Sequence, residues 1–535
     1  MCGILGFCSK EKNKFKNLNV SGIKDRGPDN IGKYENENIG LYHTRLAIID
    51  NKETSNQPIQ NKDYYLICNG EVYNHKELKK ELNFNFTTNS DCETIIAVYD
   101  KFGIDGFDKL DGMYSFALYD RKRDKLILHK DSVGKKPLFY YLKDDYIIFS
   151  SNITAIKENL KEQLSINKEQ IEFFLDNKYI EPTKSIYNGI LPLLPGEIIN
   201  INISNFNISN HKLKNEYKFN IDFNNEDEIK NKIFELIQKA IYKRIKDVKT
   251  PVILFSGGID STIIGYEALK LNKNTKFLSI KQPLPFLNDE PYIIEFAKKF
   301  EVNINYVNIM NCSFVRNIDN FINKLDQPLG VISYYYLSAL ALQAKSYDNV
   351  LLTGDGADEI FYGYSDFDKW IDEYGINKSL INCPYNFQLS KWGYNQVNTA
   401  LLGHGFVKVD KSTAENQMEA RNPFLDKELI CFIRKIPKEF WQNKDIKFIL
   451  KEYLIDKGFS KGFVYRKKVG FAFPFRYLII FKYKKILNTL IKSKQLLKEF
   501  DIQLENLNYV KLYKNFDFYF NIYVLVKFLE NNVKK

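Results

Sequence analysis

Cysteine and histidine are scarce in this chain, and long apolar runs are absent. Seven cysteines are scattered over 535 residues with no C-x-x-C spacing, which excludes a disulfide framework and a structural zinc site. The five histidines, His43, His75, His129, His211 and His404, are equally dispersed, so neither a histidine metal cluster nor a His-based triad is suggested. No apolar stretch approaches the roughly 20 residues of a membrane span, and the N-terminus lacks a charged-then-apolar signal segment, so a cytoplasmic protein is expected. No basic-aromatic motif stands out. The net charge of +11 is modest at this length, and abundant Lys, Asn, Ile and Tyr read as compositional bias. Nucleic acid and membrane are therefore not expected partners. What is present is ample core material: apolar residues make up 44% and aromatics 15%, enough for two or three domains.

The most informative stretch is Val252-Ile-Leu-Phe-Ser-Gly-Gly-Ile-Asp-Ser-Thr262. Val252 to Phe255 form an apolar run suited to a buried strand of a parallel sheet. Ser256, Gly257 and Gly258 break it, and helical spacing begins at Ile259. Strand, glycine turn and helix start aim backbone N–H groups and a positive dipole end at an anion. Ser256, Ser261 and Thr262 add hydroxyl donors, and Asp260 suits a Mg2+ ion carried on phosphates. A plain β-turn is the bland alternative, and the flanking serines and aspartate weigh against it. The spacing is not that of a Walker loop. S-G-G-x-D-S resembles the pyrophosphate loop of enzymes that cleave ATP to AMP and pyrophosphate.

The N-terminal half opens Met1-Cys2-Gly3. If Met1 is removed, Cys2 carries a nucleophilic thiol and, in its own α-amine, a base with a reference pKa of about 7.7–8.0. Alone this is weak, because a lone cysteine is usually a small core residue. Its company strengthens it. Arg26-Gly27-Pro28-Asp29 reads as a turn with a charged rim, and His43 to Asp50 as an alternating strand bearing Arg45. Asn69-Gly70-Glu71 is expected to follow a strand ending at Cys68 and to open a helix. Ser90-Asp91-Cys92-Glu93-Thr94 reads as a helix cap, and Leu110 to Ala117 as entry to another strand.

In this order the motifs resemble the glutamine amidotransferase domain of the N-terminal-nucleophile type, over residues 2 to about 200. With the downstream loop, the whole chain resembles the glutamine-dependent asparagine synthetase family. The resemblance implies a two-domain α/β and α+β protein. Residues 2–205 would form a four-layer α/β/β/α sandwich, 206–225 a linker, and 226–535 a doubly wound parallel sheet with helices on both faces. It implies Cys2 as nucleophile, with Asn69 and Gly70 as the oxyanion hole. Arg45, Leu46, Ala47, Ile48, Ile49, Asn69, Gly70, Glu71 and Asp91 would bind glutamine, Arg45 through its α-carboxylate and Asp91 and Glu71 through its α-ammonium.

In the C-terminal half, strands alternate with helices, as in a doubly wound sheet with ligands at the strand ends. Val350 to Thr353 reads as a strand leading into Gly354-Asp355-Gly356-Ala357-Asp358-Glu359, a second acidic turn on the same edge as Asp260. The resemblance places Leu254, Ser256, Gly257, Gly258, Asp260, Ser261, Ile280, Thr353, Gly354 and Lys468 around ATP. It places Asp260 and Asp358 on Mg2+, and Asp355 where the acyl-adenylate forms or turns over. Tyr334 to Ser338 match a segment near the substrate. Glu419-Ala-Arg-Asn-Pro-Phe-Leu-Asp426 reads as architectural, and Lys447 to Lys451 fits a K-x-x-L-R pattern. The expected partners are glutamine, ATP and aspartate, with a homodimer as the assembly. Another carboxylate, such as a sugar acid, remains open as acceptor. Two sites in one chain imply a dry passage for ammonia between the domains.

Overall fold

A computed structural model describes residues 1–213, 217–281, 289–308, 318–361, 363, 401–441, 444–466, 482–504 and 507–532. The N-terminal half stacks two six-stranded antiparallel sheets. One runs Ile190–Pro192, Phe139–Leu142, Tyr146–Ser150, Gly3–Ser9, Ile39–Arg45, Asn30–Glu35; the other runs Ile208–Lys212, Glu197–Asn202, Lys125–Lys130, Gly112–Asp120, Tyr64–Val72, Ile59–Asn61. Successive strand residues point to opposite faces, and both faces here are covered. Ile4, Ile67, Ala117 and Tyr119 fill the space between the sheets. Leu66, Phe116 and Leu118 pack outward on Ile95 and Val98 of the helix Glu93–Phe102. Leu5 and Phe7 face the helices Ile153–Asn159 and Lys168–Asn177 on the other side. These are the four layers expected. Part of the stretch expected as linker is strand, since Ile208–Lys212 pairs with Glu197–Asn202.

The C-terminal half holds a five-stranded parallel sheet ordered Ile304–Val307, Lys276–Ile280, Val252–Leu254, Val350–Leu352, Glu419–Arg421. Val252, Leu278, Leu351 and Ala420 face the helices Ser333–Ala344 and Phe516–Asn532. Ile253, Phe277, Val350 and Leu352 face the helices Glu226–Ile245, Ile259–Leu271 and Phe448–Asp456. The sheet is thus doubly wound. Its order reverses between Val252–Leu254 and Val350–Leu352, and the crevice at such a reversal is where open α/β sheets bind ligands.

The halves meet over buried charge. Arg26 pairs with Asp410 at 2.8 Å with both side chains almost wholly buried, and Lys243 reaches Asp111 at 2.6 Å. Lys135 donates to the Leu425 carbonyl at 3.1 Å. Arg26 is therefore no rim charge; it is closed into the seam. The basic, aromatic C-terminal segment ends in the helix Phe516–Asn532, whose Phe528 lies 6.0 Å from Tyr187 of the N-terminal half. Among the described residues, no helix is long and apolar enough to cross a membrane.

Candidate functional sites

Cys2 immediately precedes the inner strand Gly3–Ser9 of the first sheet, its sulfur 3.4 Å from the Leu46 N–H. It is half-buried, and burial raises its thiol pKa. A pocket beside it is lined by Arg45, Leu46, Ile48, Ile49, Gly70, Glu71 and Asp91 from the N-terminal half. Ala47 turns away, its N–H donating to Asp29 at 2.8 Å. Arg45 has its guanidinium fixed by the Lys52 carbonyl at 3.0 Å, Asn56 Oδ1 at 2.7 Å and the Asp50 carbonyl. Held this way, the fork loses little freedom when it meets a carboxylate.

The strand Tyr64–Val72 does not end at Cys68. It runs on through Asn69, Gly70 and Glu71, paired with Ser115, Tyr114 and Met113. Gly70 reads as a breaker, yet its φ of +142° and a Met113 carbonyl 2.0 Å from any added Cβ show a strand glycine required by close backbone approach. Asn69 is fully buried, and neither its side-chain nitrogen nor its oxygen has a hydrogen-bond partner among the described residues. Asn69 does not itself line the pocket, but its neighbour Gly70 does; buried amides are nearly always satisfied, so an orphaned one at that position points to a ligand. Asp91 accepts from the Val72 N–H at 2.7 Å, and burial pushes its carboxyl up to about 6.

The pocket also takes in Glu419 and Arg421 of the C-terminal half. Arg421 Nη2 lies 2.6 Å from Glu71 Oε2, so Glu71 is already engaged by an arginine. The motif around these two residues is not simply architectural. Asp426 does play that part, capping the helix Lys427–Ile433 and meeting Arg244 at 3.0 Å.

The second site forms at the sheet reversal. Ser256, Gly257 and Gly258 turn from the strand Val252–Leu254 into the helix Ile259–Leu271, with Gly257 at φ +74°. Ser256 and Ser261 hydroxyls are 3.1 Å apart and tie the turn together. Arg466 donates to the Gly257 carbonyl. Across the crevice Thr353 donates to Asp355 Oδ2 at 2.6 Å and accepts from Asn422 at 2.7 Å, and Lys408 lies 3.3 Å from Asp355. Asp260 and Asp358 converge on Lys447 Nζ, at 2.7 and 2.6 Å. Two carboxylates facing one cation are a donor set that Mg2+ accepts, with phosphate and water completing its shell.

Leu254 lies half-buried on the apolar cluster that holds the Ile280 side chain. Lys468 lies outside the described residues. Tyr334 and Tyr335 are buried in the core, Tyr334 donating to Glu415 at 3.0 Å. Arg466, Lys408 and Lys447 were not singled out as site residues; a basic residue in so lysine-rich a chain carries little signal by itself. One strand serves both sites: Glu419–Arg421 sends side chains into the first pocket, while the Arg421 carbonyl accepts from the Thr353 N–H at 3.1 Å.

A glutamine amidotransferase domain model matches residues 1–213, and an asparagine synthase model matches 232–382 and 383–511. A Methanocaldococcus jannaschii protein assigned as a second glutamine-hydrolysing asparagine synthetase is 30% identical over 398 residues, spanning 68% of this chain and 76% of its own. Asparagine synthetase [glutamine-hydrolyzing] 1 of Bacillus subtilis is 25% identical and spans 92% and 90%. The Rattus norvegicus asparagine synthetase [glutamine-hydrolyzing] is 26% identical and spans 88% and 84%.

Proposed function

From the chain's membership of the glutamine-hydrolysing asparagine synthetase family, we propose that it transfers the amide nitrogen of glutamine to the side-chain carboxylate of aspartate, using ATP. The enzyme is a carbon–nitrogen ligase with glutamine as amido donor. The observation that carries the first site is one pocket lined by Cys2, Arg45, Gly70, Glu71 and Asp91, with the orphaned amide of Asn69 next in the chain to Gly70.

At that site the Cys2 thiolate attacks the glutamine side-chain carbonyl. Its α-amine, free once Met1 is gone, takes the thiol proton and returns it to departing ammonia. Asn69 Nδ2 and the Gly70 N–H donate to the oxyanion that develops; one such donor is worth about 2.7–4 kcal/mol. Arg45 takes the α-carboxylate, and Asp91 and Glu71 face the α-ammonium. Water then releases glutamate from the thioester.

At the second site the Ser256–Ser261 turn cradles the pyrophosphate of ATP on its N–H groups and hydroxyls. Asp260 and Asp358 would hold Mg2+, which when bound offsets phosphate charge in the transition state. Lys447 keeps the two carboxylates together, and Thr353 and Gly354 flank the nucleotide. Asp355, steadied by Thr353 and Lys408, faces the acyl-adenylate that ammonia attacks. Ammonia would be protonated in bulk water, so it travels between the docked halves.

The test is incubation with amide-labelled glutamine, ATP and aspartate. Labelled asparagine and one pyrophosphate per amide are expected. Cys2→Ala should lose glutamine use and keep synthesis from ammonia. Amidation of another carboxylic acid with none of aspartate would overturn the acceptor assignment.

A further inference from the structure

Arg421 belongs to the C-terminal half, yet its guanidinium is walled into the Cys2 pocket, Nε and Nη1 in hydrogen bonds and Nη2 in an ion pair that lacks hydrogen-bond geometry. Nη2 meets Glu71 at 2.6 Å, Nε meets Glu419 Oε1 at 3.1 Å, and Nη1 donates to the Arg244 carbonyl at 2.6 Å. The Arg421 side chain is 1% exposed and those of Glu71 and Glu419 are 5% exposed, so solvent does little to screen these charges. Arg421 sits on a strand of the second domain's sheet and Glu71 on a strand of the first domain's second sheet.

Glu71 needs that partner. With Arg421 in place its carboxyl stands raised to about 8: burial is the largest cause, Glu419, Asp91 and Asp247 add to it, and Arg421 works against them. Only the ionised form can attract an ammonium group strongly. Three other acids, Glu419, Asp91 and Asp247, disfavour that form, and Arg421 is the neighbour that favours it.

We propose that Arg421 is a positioning residue for glutamine: reaching across the seam, it fixes Glu71 on the pocket wall and favours its charged form, so the subsite for the substrate's α-ammonium is complete only when the two halves are docked. This rests on the reading of the first site given above. It makes the C-terminal half part of the glutamine-binding machinery, through the same strand whose backbone holds Thr353 of the ATP site.

The experiment follows glutamine hydrolysis by the full chain from pH 6 to 9. The variants are Arg421→Gln, Arg421→Lys, Glu71→Gln and the double Glu71→Gln/Arg421→Gln. Arg421→Gln should raise KM for glutamine about tenfold or more, with kcat within about threefold, because binding of the α-ammonium and not the chemistry is lost. Its acid limb in kcat/KM should move to higher pH, since Glu71 then ionises later. Arg421→Lys keeps the charge without the fork and should fall between. Glu71→Gln should raise KM by itself, and the double variant should be no worse. An unchanged KM or acid limb in Arg421→Gln, or penalties that multiply in the double variant, would overturn the proposal. Should Arg421→Gln fail to fold, Arg421→Lys and Glu71→Gln still decide it, through the intermediate KM and the shifted limb. Wild-type hydrolysis abolished by Cys2→Ala separately checks the first-site reading.

Discussion

A Cβ built on Gly354 would stand 2.9 Å from the Cβ of Asp260. The turns after two neighbouring parallel strands thus touch where Gly354 meets Asp260, and position 354 has no room for a side chain. Gly354→Ala should force the turns apart, at about 1–3 kcal/mol for overpacking. Pyrophosphate release from ATP should fall at least about tenfold, while glutamine hydrolysis changes little. Equal loss of both activities would mean that the turn supports the whole fold and not the nucleotide site.

Lys447 holds Asp260 and Asp358 together, and its side chain is only 6% exposed. Lys447→Met leaves two carboxylates facing each other, and breaking a buried pair costs about 3–5 kcal/mol. The variant should melt lower than wild type in the presence of a chelator, and millimolar Mg2+ should recover part of the difference by taking the vacated cation position. ATP cleavage should be lost at either condition. A melting curve indifferent to Mg2+ would argue against these two acids as its ligands.

Local patterns were legible in the sequence and long-range pairings were not. The strand–turn–helix around Ser256 could be read because apolar run, glycine pair and helical spacing are contiguous, and the unbroken apolar runs at Val252–Leu254 and Val350–Leu352 match strands covered on both faces. Gly70 misled because an isolated glycine looks like a strand end, whereas the need for it comes from the Met113 carbonyl 43 positions away. Arg26 was misjudged for the same reason: its partner Asp410 is 384 residues distant. Glu419 and Arg421 did carry a signal, since two charges at i and i+2 of a strand share one face. What that face meets is set by how the domains dock.

Asn69 gives a sharper test of the first site. Asn69→Ala removes a donor with no partner among the described residues, so the cost should fall on the transition state: about 10²–10³ in kcat for glutamine hydrolysis, with KM little changed. Synthesis from added ammonia should persist. A loss confined to KM would place the amide on the ground-state substrate instead of the oxyanion.

The seam between the halves makes a prediction with a definite sign in pH. Arg26 and Asp410 are joined by two bonds of 2.8 and 2.9 Å. Burial disfavours the charged carboxyl, but Arg26, with Lys136 and Lys411, outweighs it and holds Asp410 below its ordinary 3.8. A carboxyl whose folded pKa is depressed stabilises fully above its unfolded value and loses that contribution as pH falls through the folded one. Asp410→Asn leaves Arg26 buried without its counter-charge, at a cost of about 3–5 kcal/mol near neutral pH. The difference in melting temperature between wild type and Asp410→Asn should therefore be constant from pH 7 to about 5 and shrink below about 4, where wild type also loses the charge. A gap that widens on acidification would show that Asp410 is protonated in the folded protein at neutral pH, and that the seam is held by neutral hydrogen bonds.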